Sequence, residues 1–199
     1  MSGAARRRAV HPIEAESYRI LRGLVDLSGL GPLSRSVAER VVHASADPAW
    51  AADLLLDELA LADGLAALRA GAPVVVDARM VAAAVTSRPT VCALDLAPDR
   101  PPGLGETRSA AGVRAAFGQV GTGAVWVVGC APTALDALLG LPAEPALVIG
   151  LPVGFVGAVE AKRALAASGL PAVTNRGAKG GSAVAAAALN ALLYHQEPA

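Results

Sequence analysis

Five short apolar runs punctuate this chain: "PVVVD" (73–77), "TVCALD" (90–95), "AVWVVG" (124–129), "ALVIG" (146–150) and "PAVTN" (171–175). They are apolar throughout rather than alternating, so a strand built from any of them is buried on both faces. Between them lie alanine-rich stretches with helical spacing, near 62–70, 79–86, 107–117, 132–139, 157–168 and 181–193. Strand and helix in alternation predict an α/β fold, a three-layer α/β/α sandwich around a mainly parallel sheet. The chain is 54% hydrophobic but only 3% aromatic, so its core must be alanine, valine and leucine, side chains small enough for helices to pack closely on the sheet. "DLLLDELAL" (53–61) fits either a further strand or the end of a helix.

The first 50 residues differ. "HPIEAESYRILRGLV" places Ile13, Ser17, Ile20, Leu21 and Leu24 on one helical stripe before "GLGPLS" breaks the chain. This predicts an N-terminal helical segment docked on the α/β core. No repeat or linker divides residues 1–199, which read as a single domain. The proline-rich "LAPDRPPGLGETR" (96–108) is the longest loop candidate, and it follows a strand, where open α/β sheets carry their ligand loops.

Charge and cysteine usage exclude several classes. Lys plus Arg and Asp plus Glu both total 17, so no global field draws the chain to nucleic acid or an anionic membrane, and any anion binding must be local. Cys92 and Cys130 are far apart and lack zinc-site spacing, and each reads as a reduced, packed thiol. "MSGAARRRAVHP" has no apolar run behind its charges and does not read as a signal peptide. "SAVAAAALNALL" is short of the roughly 20 residues that cross a bilayer. The expectation is a cytoplasmic protein.

Of three histidines, only His43 lies away from the chain ends, in "AERVVHASAD". Ser36 with Glu39 has the capping-box pattern, predicting a helix that starts there and is stopped by "DP" at 47–48. His43 then sits in the last turn, where the helix dipole favours its cationic form, and Arg40 shares its face. Such a pair can bind an anion and donate a proton to it, although a surface histidine near a helix end explains the spacing equally well. No second histidine ligand and no nucleophile triad is visible, so neither a metal site nor a hydrolase is indicated.

"TNRGAKGGSAVAAAALNALL" carries the strongest local signal. A strand ending at Thr174–Asn175 leads into a loop with Arg176, Lys179, Gly180 and Gly181, then a helix from Ser182. Helix-start N–H groups and approachable glycine backbone attract anions. The order K-G-G-S is not a Walker loop, and the glycines of "GLPVGFVGAVEAKRAL" fail the dinucleotide fingerprint. Arg108 and Ser109 in "TRSAAG" fall near another helix start, and Thr86 lies at a helix end in "ARMVAAAVTSR".

These segments together resemble the precorrin-8X methylmutase family of cobalamin biosynthesis, which includes the cobalt-precorrin-8 enzymes. The resemblance runs from "HPIEAESYRIL" to "NALL" and includes "RVVHASAD", "DARMVAAAVTS", "TRSAAG", "APTAL", "PALVIGLPVGFVGAVEAKRAL" and "RGAKGGSAVAAAALNAL". It implies a homodimeric α/β/α isomerase that moves a methyl group from C-11 to C-12 of precorrin-8X, or of cobalt-precorrin-8, by an intramolecular 1,5-sigmatropic shift. The product is hydrogenobyrinate or its cobalt form, and no separate cofactor is needed. The family's catalytic acid–base histidine falls on His43. Substrate contact falls on Ser17, Arg40, Thr86 and Arg108, with Ser109, Arg176, Lys179, Gly180, Gly181 and Ser182 suited to the substrate's carboxylates. A product hand-over to the next pathway enzyme is a further expectation. The chain departs from the family at Cys130, where many relatives have asparagine, and "GAKGGS" replaces an arginine-rich loop while keeping a positive charge. A non-catalytic tetrapyrrole carrier using the same loops is the rival reading.

Overall fold

The computed structural model describes residues 11–99 and 105–195. Residues 1–10 of the stretch weighed as a leader, and residues 100–104 of the expected 96–108 loop, lie outside the described residues.

The elements follow in the order α1 (Pro12–Leu24), α2 (Pro32–Ser45), α3 (Trp50–Asp53), β1 (Leu54–Leu55), α4 (Glu58–Arg69), β2 (Val74–Val76), α5 (Arg79–Ala84), β3 (Val91–Cys92), α6 (Ala93–Leu96), α7 (Arg108–Val120), β4 (Val125–Val128), α8 (Pro132–Leu139), β5 (Leu147–Gly150), α9 (Ala158–Ala167), β6 (Ala172–Asn175) and α10 (Ser182–Leu193). The sheet has six strands in the order β1-β6-β5-β4-β2-β3. Every neighbouring pair is parallel except β1 with β6, which pairs Leu54 with Asn175. All five predicted strand runs lie in it.

Successive strand side chains point to opposite faces, and the two faces hold separate cores. Val74, Val76, Val125, Val127, Leu147, Ile149 and Val173 pack with α2, α4, α5 and α10. Val75, Trp126, Val128 and Val148 pack with α7, α8 and α9. This is the three-layer α/β/α arrangement that the alternation predicted. The helix that follows each parallel strand starts near that strand's C-terminal end, so the starts of α8, α9 and α10 gather along one edge of the sheet.

Three local readings are corrected and one is resolved. Helix α2 begins at Pro32 behind Gly31, not at Ser36. Proline suits the first helical position, and Glu58, from α4, accepts the N–H groups of Leu33 and Ser34 at 2.8 Å each, doing from a distance what a local cap would do. Glu39 instead turns to Arg22, at 2.7 Å. "TVCALD" is strand only over Val91–Cys92 before the chain coils into α6. The ambiguous 53–61 stretch holds both alternatives in turn: the end of α3, the short edge strand β1, then α4 capped by Asp57. On α1 only Leu21 of the expected apolar stripe is buried, and Ile13, Ile20 and Leu24 are exposed.

Among the described residues no helix is long and apolar enough to cross a membrane. Both cysteines are free and partly buried.

Candidate active site

His43 occupies the last turn of α2, which ends at Ala46 in the left-handed conformation (φ 52°). Helix α1 crosses it and supplies two neighbours in succession. Ser17 Oγ lies 2.9 Å from His43 Nδ1. The Tyr18 ring stacks on the imidazole, centroids 4.8 Å apart and planes 9° from parallel. Fixing the ring through Nδ1 leaves Nε2 as the nitrogen that can meet a ligand. When Ser17 donates to Nδ1, the neutral ring carries its proton on Nε2 and donates there; when Ser17 accepts from Nδ1–H, Nε2 is the acceptor in the neutral ring and a donor in the imidazolium.

Arg40, one turn earlier on α2, continues the cluster. Its Nη1 donates to the Tyr18 hydroxyl at 3.3 Å and lies 3.8 Å from Glu14. Its guanidinium also sits over the Tyr194 ring, 5.3 Å from the centroid, and the Tyr194 hydroxyl is 3.1 Å from Thr86 Oγ1. Ser17, His43, Arg40 and Thr86, picked out separately along the sequence, are therefore joined by contacts. The two tyrosines that join them were missed. A signal was present: the chain has only two tyrosines, and both stand in this cluster.

A second group forms between β6 and α10. Lys179 Nζ pairs with Asp47 Oδ2 at 2.9 Å and lies over the Trp50 ring, 4.9 Å from its centroid. Since Asp47 follows directly on the C-cap of α2, this contact ties the glycine loop to the end of the helix that carries His43. Arg176 is exposed and donates to the Ala52 carbonyl at 2.8 Å. Gly180 passes so close to the Leu151 and Pro152 carbonyls that a Cβ would strike backbone. Gly181 has φ 132°, a conformation side chains rarely allow, and its N–H reaches the Leu151 carbonyl at 2.9 Å. Ser182 opens α10 with its hydroxyl 2.9 Å from Cys130 Sγ. Burial pushes the Cys130 thiol up, away from the thiolate.

Asp77, just past β2, shapes the neighbouring turn. Its carboxylate accepts the N–H groups of Gly129 at 3.0 Å, Cys130 at 2.7 Å and Ala131 at 2.9 Å. Burial pushes its carboxyl above the usual carboxylate range, against the pull of those three donors. An acid closing the apolar run "PVVVD" was the available signal for it.

Arg108 and Ser109 open α7 behind Thr107, whose hydroxyl caps Ala110 N–H at 3.2 Å and lies 2.7 Å from Thr133 Oγ1. Helix α7 belongs to the layer on the other face of the sheet from α2. Among the described residues, no hydrogen bond or ion pair joins Arg108 to the His43 cluster; the start of α7 meets α8 instead, through Thr107 and Thr133.

An α/β/α sheet with a positioned imidazole on a flanking helix and a cationic glycine loop at its edge is an arrangement that can hold an anion beside a proton-transferring group. Known proteins make the class specific. The family model for precorrin-8X methylmutase matches residues 12–195. The precorrin-8X methylmutase of Pseudomonas aeruginosa is 42% identical over 200 residues, spanning 93% of this chain and 95% of that protein. The cobalt-precorrin-8 methylmutase of Methanothermobacter thermautotrophicus is 38% identical and spans 92% of each. The crystal structure of precorrin-8X methyl mutase from Thermus thermophilus superposes with a TM-score of 0.81 at 38% identity, covering 92% of this chain and 96% of that one. The chain belongs to the precorrin-8X methylmutase family, whose members are isomerases of cobalamin biosynthesis.

Proposed function

We propose that this chain catalyses the 1,5-sigmatropic shift of a methyl group from C-11 to C-12 of precorrin-8X or cobalt-precorrin-8, giving hydrogenobyrinate or its cobalt form. The observation that carries this reading is the imidazole of His43, hydrogen-bonded by Ser17 and stacked on Tyr18, in a chain that matches the family from residue 12 to 195.

The substrate is an apolar macrocycle fringed with carboxylates. The carbon–carbon bond to C-11 breaks as the bond to C-12 forms, so no group is lost and no oxidant or reductant enters. What a protein adds is control of the ring's electron demand, and a proton delivered to the ring system does that. His43 donates that proton through Nε2 and recovers it afterwards. General acid help of this kind is typically worth about 10²–10⁴ in rate. Ser17 orients the imidazole. Arg40, Thr86, Arg108 and Ser109 hold carboxylates by charge-assisted hydrogen bonds. Arg176, Lys179, Gly180, Gly181 and Ser182 supply charge and backbone donors at the loop. The Lys179–Asp47 pair is well exposed on both sides, 40% and 38%, so its net worth is small and an incoming carboxylate can displace Asp47.

The whole chain acts as a single domain in the cytoplasm, as a homodimer, and passes its product to the next enzyme of the pathway. Exposed Ile13, Ile20, Leu24, Phe155 and Val156 offer apolar surface for association.

The test is incubation of the purified chain with precorrin-8X, following the absorbance of the orange product in single-turnover mode. Conversion supports the isomerase. Binding without conversion would make the chain a tetrapyrrole carrier. His43→Ala should cut turnover by about 10²-fold or more with binding retained, and a variant that keeps most of its activity removes His43 from the proton-transfer role.

A further inference from the structure

Lys162, on α9, is fully buried, with 0% of its surface exposed. Lysine almost never takes such a place unless its charge is answered. Here the three N–H bonds of the ammonium go to three oxygens of the glycine loop and the strand before it: Asn175 Oδ1 at 2.9 Å, the Lys179 carbonyl at 2.6 Å and the Gly177 carbonyl. Donors and acceptors match in number. Asn175 reinforces the arrangement, its Nδ2 donating to the Lys179 carbonyl at 3.1 Å and to Asp53 Oδ2 at 2.7 Å. Asp53 in turn takes the N–H groups of Arg176 at 3.2 Å and Gly177 at 3.0 Å.

The direction of these bonds matters. A trans peptide is planar, and its C=O and the following N–H point opposite ways. With the carbonyls of Gly177 and Lys179 turned in to Lys162, the N–H groups of Ala178 and Gly180 are turned away from it. A buried ammonium is also a poor way to gain stability, since an apolar side chain of similar length avoids its desolvation. Its cost is understandable if the loop's shape is what it maintains.

We propose that Lys162, backed by Asn175 and Asp53, is a positioning residue: it pulls the 177 and 179 carbonyls inward, so that the Ala178 and Gly180 N–H groups face the carboxylates of the bound macrocycle. The proposal rests on the reading of the glycine loop as a substrate grip.

The experiment compares the full-length wild type with Lys162→Met and with Leu165→Ala, which thins the core under the same helix without touching the loop. Two quantities are read: steady-state kinetics with precorrin-8X, and backbone hydrogen exchange across residues 176–181. Lys162→Met should raise KM about tenfold or more while kcat changes less than about threefold, the pattern of lost binding common to ground and transition states. Exchange should quicken in 176–181 and stay unchanged in α10 beyond its first turn. Leu165→Ala should lower Tm and leave KM and loop exchange as they were. Should Lys162→Met fail to fold, Asp53→Asn loosens the same clamp from its outer side and should show a weaker version of both effects. Unchanged KM and loop exchange in these variants, or an equal KM rise in Leu165→Ala, would overturn the proposal. If the wild type converts no precorrin-8X, the substrate reading fails, and the exchange result still decides whether Lys162 holds the loop.

Discussion

Ser17 reaches His43 through a single bond to Nδ1 of 2.9 Å, while Tyr18 fixes the plane of the ring from one side. Stacking alone is satisfied equally by a ring flipped 180° about its Cβ–Cγ bond, so the hydroxyl bound to Nδ1 decides where Nε2 points. Ser17→Ala should therefore lower kcat about tenfold, the worth of one well-made hydrogen bond, with KM changed little. Stopped-flow turnover of precorrin-8X measures this, and an equal loss in KM would show Ser17 to be a substrate contact only. Lys162 makes a prediction of a different kind. Burial brings its pKa down from 10.5 to about 8, against the pull of the Asp53 charge. Between those values the folded chain binds fewer protons than the unfolded one, so this group's contribution to stability rises with pH across that window and is flat below it. Urea unfolding of wild type and Lys162→Met at about pH 7 and about pH 9.5 should show the difference moving in favour of wild type by up to about 2 kcal/mol.

Asp77 works on an element. By accepting three N–H groups at the end of β4, it sets the turn from which α8 starts and on which Cys130 meets Ser182. Asp77→Asn puts an NH₂ group against donors, leaving at least one buried N–H without an acceptor, and should cost about 1–3 kcal/mol in denaturant unfolding. A stability equal to wild type would mean that the turn holds itself. Elements of this kind were unevenly legible in the sequence. Apolar runs such as "AVWVVG" and "ALVIG" announce strands because both faces of a parallel sheet are covered, and the alanine-rich helices between them follow from their spacing. The start of α2 was not legible, because its cap is Glu58, 25 positions from Leu33 in the chain. Strand β1 has two residues, too few to show a period, and exists because β6 offers it an edge. In the site, His43 and the glycine loop stood out by residue type. Tyr18 and Tyr194 were marked only by their rarity, Asp77 by closing an apolar run and Lys162 by being one of two lysines in the chain; none of these signals shows a role, since each residue acts through a partner supplied by another element.

At the scale of the whole molecule, two groups that the proposed chemistry needs together stand on helices of different layers. His43 and Arg40 lie on α2 in one layer, and Arg108 opens α7 in the other. A rigid macrocycle seated at His43 can meet Arg108 of the same chain around the edge of the sheet, or Arg108 of a second copy, and the two arrangements predict different outcomes. A two-fold homodimer would build two such composite sites, each taking its imidazole from one chain and Arg108 from the partner. Complementation follows from that symmetry. His43→Ala and Arg108→Ala homodimers should each be strongly impaired in precorrin-8X turnover. When the two chains are unfolded together and refolded as a mixture, half of the dimers are hybrids, and each hybrid contains one site with both residues intact. Activity should then recover to about a quarter of the wild-type value per chain. If the sites lie within single protomers, every site in the mixture keeps its own lesion and mixing restores nothing. Sedimentation equilibrium on the same samples supplies the control, since failure to recover activity counts against a shared site only when the refolded mixture is dimeric.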